Sequence, residues 1–254
     1  VANCFFLARV AQVGIVRAQV WGAWSAGSTA GRLRSVVMLS GNLVPAGSDP
    51  EGMAALARWL AERRRTASSV VGLARDVSPL WEELEPAWGP ARDCRWHQPL
   101  MVAQGPRSVA PDPRVRRATV ADIDALYPPT VSMFTEEVGV SPLVGSSEAA
   151  YRGRLAALVR SGRVFVLMQR GEVVFKAEVA AATAQACQVQ GVWVDPDRRG
   201  LGLGSAAMAA VVDLASAAVA PVVSLYVNEY NVAALRAYRK SGFVTVDEMA
   251  SILF

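Results

Sequence analysis

The feature that most constrains the fold is a strand-to-helix turn built on glycines. Gly191-Val-Trp-Val194 reads as a strand, Asp195-Pro196-Asp197 follows, and Arg198-Arg199-Gly200-Leu201-Gly202-Leu203-Gly204 leads into an alanine-rich helix from about Ser205 to Ala217. Asp-Pro-Asp stops the strand ladder, since proline has no N–H to give it. A helix N-terminus offers unpaired backbone N–H groups and a positive dipole end, and glycines let a ligand come close without Cβ interference. Such a turn wants an anion. Arg198 or Arg199 adds a planar donor fork suited to phosphate oxygens, so a diphosphate is the natural guest.

Spacing separates the anion loops that could stand here. A P-loop requires Gly-x-x-x-x-Gly-Lys-Ser/Thr, and this turn has no lysine to reach a terminal phosphate. A dinucleotide fingerprint requires Gly-x-Gly-x-x-Gly, a register that Ser205 and Ala206 break. What remains is Arg199-x-x-Gly202-x-Gly204, preceded by Val194-x-Pro196.

This pattern resembles the acetyl-CoA loop of the GNAT acetyltransferase superfamily, where Arg-x-x-Gly-x-Gly/Ala follows the fourth strand. A second match lies downstream. Leu225-Tyr-Val-Asn-Glu-Tyr-Asn231 and the stretch Val232 to Tyr238, Gly242 and Phe243 are similar to the family's fifth strand, Asn-bearing helix and Tyr-x-x-x-Gly-Phe ending. The resemblance covers roughly residues 115 to 254. The whole chain resembles actinobacterial tandem proteins that join a divergent GNAT-like N-terminal region to an orthodox C-terminal one.

The resemblance implies an N-acetyltransferase that moves acetyl from acetyl-CoA to a primary amine by direct attack, without a metal. It implies that the backbone of Val192, Trp193 and Val194 pairs with the pantetheine amides and helps polarise the thioester carbonyl. Arg199, Gly200, Leu201, Gly202, Leu203, Gly204 and Ser205 would surround the diphosphate, and Asn231 would bond the pantetheine arm. Tyr238 would touch the cofactor near its sulfur and donate a proton to the departing thiolate, a task for a positioned acid. The alternative for Tyr238 is a ring packed on the sheet. The acceptor is an amine of open class: a protein lysine, a protein N-terminus or a small amine.

The attacking amine must lose a proton, and here the sequence departs from the family. Several GNAT enzymes carry a carboxylate on the fourth strand, whereas this chain reads Cys187-Gln188-Val189-Gln190. Glu178 on the neighbouring strand is one candidate base, unless it pairs with Lys176 at the same parity. Glu137, beside Glu136, is another, standing either at a solvated helix end or at an acidic mouth that attracts a cationic amine. The missing carboxylate also motivates a second reading, an acyl-CoA-binding sensor with little turnover. His97 is the only histidine, with no nearby metal-ligand spacing, so a structural role is expected of it, and with no nucleophile elbow either, Ser-His-Asp and Cys-His sites are discarded.

With 254 residues and 52% apolar content, the chain can build two cores. Three prolines fall within Pro106 to Pro113, which marks 103–114 as a linker between a domain at 1–102 and a catalytic domain at 115–254. In the first half, strands are expected at Gln19–Trp24, Leu33–Ser40 and Ser68–Val71, with a Gly- and Ser-rich turn between the first two. Helices are expected over Asn3–Val13, Asp49–Arg65 and Val77–Trp88. The second half repeats that rhythm, with separate helical stretches at Ala121–Leu126 and Met133–Val138. The expected fold is α/β: two GNAT-like domains in tandem, each a mixed, mostly antiparallel sheet flanked by helices. The N-terminal domain is divergent and a candidate for truncation, because the chain opens on Val1 inside an apparent helix.

The counterpart of the glycine loop in that first domain is Ala46-Gly-Ser-Asp-Pro-Glu-Gly52, which holds acidic residues and no arginine. It should repel a diphosphate. The N-terminal domain is then left to cover the catalytic one, shape the acceptor site or mediate assembly, such as a homodimer. Net charge is only +4, with scattered arginines, which does not build a nucleic-acid stripe. No run reaches membrane-span length, and Cys4, Cys94 and Cys187 lack paired spacing. Free buried thiols and a cytoplasmic location are the expectation.

Overall fold

The computed structural model describes residues 6–7, 19–25, 31–47, 49–144 and 147–254. Cys4, the turn at 26–30 and most of the helix expected at Asn3–Val13 lie outside them. The chain divides into two compact units. One comprises Val1–Leu100, Tyr226–Tyr230 and Thr245–Phe254, and the other comprises Met101–Leu225 and Asn231–Val244.

The first unit begins with an antiparallel meander of β1 (Gln19–Trp24), β2 (Leu33–Leu39) and β3 (Asn42–Ala46). Helix α1 (Pro50–Ala61) crosses over to β4 (Ser69–Leu73), which runs parallel to β3 through Asn42↔Ser69 and Leu43↔Val70. Helix α2 (Ala74–Trp88) and β5 (Asp93–Ala103) follow. The apolar stripes of the helices meet the sheet in a core of Leu56, Leu60, Val77, Leu80, Trp81 and Leu84 against Val37, Leu43 and Val70. Trp21 packs on Trp59 at 4.8 Å, and Trp81 and Trp88 pack on Phe254 at 5.6 and 6.0 Å.

Those Phe254 contacts expose a difference from the division at 1–102 and 115–254. The chain's closing strand, β11 (Phe243–Leu253), pairs antiparallel with β4 from Met249↔Leu73 to Leu253↔Ser69, and Ala250 and Ile252 enter the first unit's core. Without them β4 would present an open edge and the core two gaps. Nothing local in the sequence says which sheet a closing strand will join.

The second unit holds β6 (Arg116–Arg117), α3 (Ile123–Val138), α4 (Glu148–Arg160), β7 (Val164–Gln169), β8 (Glu172–Ala182), β9 (Ala186–Val194), α5 (Leu203–Ala218), β10 (Val222–Tyr226) and α6 (Val232–Lys240). Its sheet order is β10-β9-β8-β7-β6, with β9 and β10 parallel and the other pairs antiparallel. The β7–β8 turn places Arg170 and Gly171 at φ +53° and +83°, the left-handed pair a two-residue hairpin requires. Helices α3 and α4 supply Leu126, Tyr127, Tyr151 and Leu155 to a core with Val164 and Val166.

Three expectations change here. The helical stretches at Ala121–Leu126 and Met133–Val138 belong to one helix, α3, which passes through Pro128 and Pro129. Burial of Leu126, Tyr127, Pro129 and Thr130 outweighs the lost N–H donors. The segment 103–114 is no loose tether: Gly105 N–H bonds Gly242 O at 2.9 Å, Ser108 N–H bonds Lys240 O at 2.9 Å, and Asp112 N–H bonds Ala206 O at 3.0 Å. Of the described cysteines, Cys187 is buried but Cys94 is exposed on β5. Among the described residues, no helix is long and apolar enough to cross a membrane.

Candidate functional site

The glycine turn leaves β9 at Val194 and enters α5 at Leu203. Asp195 shapes it by accepting from Asp197 N–H at 3.1 Å through its carboxylate and from Arg198 N–H at 2.8 Å through its carbonyl. Gly200 and Gly202 lie at φ +80° and +79°, where any other residue would be strained, and a Cβ on either would meet none of the described residues within 4 Å. Gly202 is the N-cap of α5, no side chain caps it, and the first turn holds no acidic residue. Backbone donors at a positive helix end therefore face open space, flanked by exposed Leu201 and by buried Ser205. Arg199 lies beside the turn, its Nε donating to Val194 O at 3.1 Å. Arg198 turns instead to Gln169 Oε1 at 2.7 Å.

Upstream of the turn, β9 separates from β10. Their parallel pairing consists of Val222↔Ala186, Val223↔Cys187 and Ser224↔Gln188. Ser224 closes it by donating its hydroxyl to Cys187 O at 2.9 Å. From Val189 to Val194 no β10 register partner follows. On its other side β9 bulges: Glu178 faces Gln190 and Lys176 faces Trp193, so Gly191 and Val192 together stand opposite Ala177. Gly191 takes φ +59° at the bulge.

The proton-bearing groups gather from α6 and α3. Tyr238 on α6 is buried, its ring 5.9 Å from Phe243. Burial first, then the charge of Glu137, holds its phenol well above the ordinary tyrosine value. Glu136 and Glu137 occupy the last turn of α3 without a basic residue, the wrong end of the dipole for carboxylates. Glu136 finds its cation in Arg199, at 2.9 Å. Asn231 caps α6 by accepting from Ala234 N–H at 3.1 Å through its side-chain oxygen. The arrangement sets an uncapped helix N-terminus, a strand edge beyond its β10 partner and a buried phenol within one unit.

Two family models match the sequence. One, described as the Acetyltransferase (GNAT) family, matches residues 133–243, a span that contains every group just described. Residues 133–243 are a GNAT acetyltransferase domain. The other, a domain of unknown function (DUF4081), matches residues 18–126. No curated protein matches the chain. An acetyltransferase of the GNAT family from Colwellia psychrerythraea is similar in fold, with a TM-score of 0.60 at 12% identity over 100% of this chain and 90% of its own. A GCN5-related N-acetyltransferase from Kribbella flavida is similar with a TM-score of 0.58 at 15% identity over 98% of this chain and 95% of its own. At such identities the likeness speaks for the fold.

Within the GNAT domain, two residues on β8 stand apart. Glu178 is buried and its carboxylate contacts Lys176 Nζ, the pairing that their shared parity in the sequence allows. Lys176 is wholly buried and also donates to Gly191 O at 3.2 Å. Sequence alone assigns Lys176 no role beyond pairing with Glu178. The signal was present as a lysine inside one apolar strand and a glycine inside the next. His97, in the first unit, is exposed on β5 and pairs with Glu248 Oε1 at 3.0 Å. That hydrogen bond raises its pKa.

Proposed function

We propose that the GNAT domain transfers acetyl from acetyl-CoA to a primary amine by direct attack on the thioester. The observation that carries the reading is the uncapped α5 N-terminus at Gly202, with Gly200 and Gly202 open to a ligand. The diphosphate would lie on the backbone of Gly200 to Ser205, with Arg199 supplying charge. The pantetheine arm would add to the edge of β9 at Val192 to Val194, in the gap beyond Ser224, with the NH2 of Asn231 turned to it.

The amine nitrogen attacks the thioester carbonyl carbon, and the carbonyl oxygen becomes an oxyanion facing backbone N–H groups of β9. Collapse breaks the carbon–sulfur bond, and Tyr238 donates its proton to the leaving thiolate. The raised phenol pKa keeps Tyr238 protonated at neutral pH and makes it a weaker acid than a free phenol, so the donation relies on its placement beside the sulfur. The proton lost by the amine passes toward Glu137, whose charge reaches Tyr238, directly or through water. Glu178 is the other carboxylate in the unit set for this role by sequence, and its contact with Lys176 speaks for a different one.

Tyr238→Phe should lower kcat about 100-fold while leaving the acetyl-CoA Kd near the wild-type value. Unchanged turnover would remove Tyr238 from the acid role. A second reading, an acyl-CoA-binding sensor, draws on Gln188 and Gln190 standing on β9 where a carboxylate would serve as base. It predicts tight acetyl-CoA binding with no transfer to a panel of protein lysines, N-termini and small amines.

A further inference from the structure

Lys176 is a fully buried cation in the middle of β8, among Val174, Phe175, Ala177 and Val179. An apolar side chain of similar volume would fill that place without the cost of taking an ammonium out of water. The position is nevertheless furnished for the charge. Glu178 contacts Nζ on one side, and Gly191 O accepts from it at 3.2 Å on another. The fit around Gly191 is close: a Cβ there would stand 3.2 Å from Met133 Cε, 3.3 Å from Glu178 Cδ and 3.4 Å from Lys176 Nζ.

Gly191 is the first residue of the β9 bulge, so the carbonyl Lys176 holds belongs to the peptide that leads into Val192. In a planar trans peptide the C=O and the following N–H point in opposite directions. Fixing Gly191 C=O toward Lys176 therefore fixes Val192 N–H away from it. A cationic donor on the carbonyl also polarises the peptide and strengthens that N–H as a donor. Val192 opens the strand edge assigned above to the thioester.

We propose that Lys176, neutralised by Glu178, is a positioning residue for acyl transfer: it holds the Gly191 peptide so that Val192 N–H is aimed at the thioester oxygen. The inference rests on the acyl-CoA reading of this edge. Glu178 then serves to hold Lys176 rather than to take the amine's proton.

The test is the double variant Lys176→Met/Glu178→Leu, which removes both charges together so that neither is left buried alone. In the ligand-free protein, the Gly191 carbonyl carbon resonance should move upfield as its cationic donor is lost. With ligand, kcat should fall about 10- to 100-fold, as for a weakened oxyanion donor, while acetyl-CoA Kd stays within about threefold. The acidic limb of the pH–rate profile should persist.

An unmoved Gly191 resonance, an unchanged kcat, or loss of that limb would each overturn the proposal. The Val192 amide nitrogen should shift when acetyl-CoA is added to wild type and shift much less in the variant, so equal shifts overturn it even without turnover. Wild type alone gives a further check. Its Lys176 ammonium protons should exchange slowly and lie close to Gly191, and fast exchange would sink the pin whether or not the variant folds. Failure of wild type to bind acetyl-CoA would instead sink the acyl-CoA reading, and the ligand-free measurements keep the two failures apart.

Discussion

The two units contain the same local device, a strand that turns through glycines into a helix and returns as a parallel strand, and they treat the helix N-terminus in opposite ways. Between β3 and α1, Asp49 caps the helix by accepting from Gly52 N–H at 2.8 Å and is itself held by Arg34 at 2.7 Å. Asp76, buried at the start of α2, accepts from the Gly47 backbone. A Cβ on Gly52 would fall 2.6 Å from Asp49 Oδ2, and one on Gly47 would fall 2.7 Å from Arg34 O. Those glycines exist so that the protein can pack against itself. Between β9 and α5, a Cβ on Gly200 or Gly202 would meet none of the described residues within 4 Å, and the first turn of α5 carries no acidic residue. The first turn has bound its own anion covalently in advance, at an effective concentration no free diphosphate matches. The second has no side-chain acceptor on its helix end.

The comparison is broken most directly at Gly202. Gly202→Glu introduces a side chain at φ +79° and a negative charge where the diphosphate would lie. The acetyl-CoA Kd should rise at least about 100-fold, roughly 2.7 kcal/mol, by calorimetry. Wild type should bind one acetyl-CoA per chain. A stoichiometry of two would mean that the first turn binds as well, and the contrast between the turns would fail.

Acid titration should separate the units by sign. In the GNAT domain's unit, Asp122 is buried, takes both guanidinium nitrogens of Arg116 at 2.7 and 2.8 Å and accepts from Thr119 N–H at 2.7 Å. The Arg116 bonds hold its pKa well below the ordinary carboxylate range. A depressed folded pKa gives stability that is present above the unfolded value near about 3.9 and is lost as pH falls through the folded one. Asp122→Asn should cost about 2 kcal/mol at pH 7 in urea denaturation and progressively less below pH of about 4. Asp76 runs the other way, its pKa raised mainly by burial. Its folded form holds the proton more tightly, so stability falls as pH rises from about 3.9 through the folded value. Asp76→Asn should remove that loss and stabilise the first unit slightly at pH 7. Destabilisation at pH 7 would mean that the carboxylate's bond to Gly47 outweighs its desolvation.

How legible these features were in sequence follows the same divide. The second turn was readable because its residue types stand at a recognisable spacing, Arg199, Gly202 and Gly204, with the Tyr238 to Phe243 ending downstream. The acidic character of the first turn was readable from Asp49 and Glu51, but the use of Asp76 against Gly47 was not, since that pairing spans α1 and β4. The destination of β11 was hidden for a similar reason. Val244 to Leu253 has the alternation of a strand, and alternation carries no address. Lys176 and Gly191 are fifteen positions apart and meet only through the β8–β9 register, although each alone was an anomaly in its strand.

The cap in the first turn should be worth less than the buried carboxylates. Asp49→Ala removes the acceptor for Gly52 N–H and the partner of Arg34, and should cost about 1 kcal/mol in thermal or urea denaturation. It should also leave acetyl-CoA stoichiometry at one. Uncapping restores donors to the turn but not the open space, because Gly47 and Gly52 remain walled in by Arg34 O, Ser35 Oγ and Ala23 Cβ. Gain of a second acetyl-CoA site would show that the resident carboxylate alone had kept the two turns different.

The smallest effect is expected at the carboxylate the second turn borrows from α3. Glu136 holds Arg199 at 2.9 Å, with both side chains about half exposed, so the pair should contribute little stability, within about 1 kcal/mol. Its influence should show in binding. A diphosphate on Gly200 to Ser205 would compete with Glu136 for the same guanidinium, so Glu136→Gln should tighten acetyl-CoA binding a few-fold at low salt. The gain should fade as ionic strength rises and screening weakens the competition. If Glu136→Gln instead weakens binding at every salt concentration, the carboxylate is orienting Arg199 for the diphosphate. The second turn, like the first, would then depend on an acidic residue of its own, placed beside the ligand rather than in its stead.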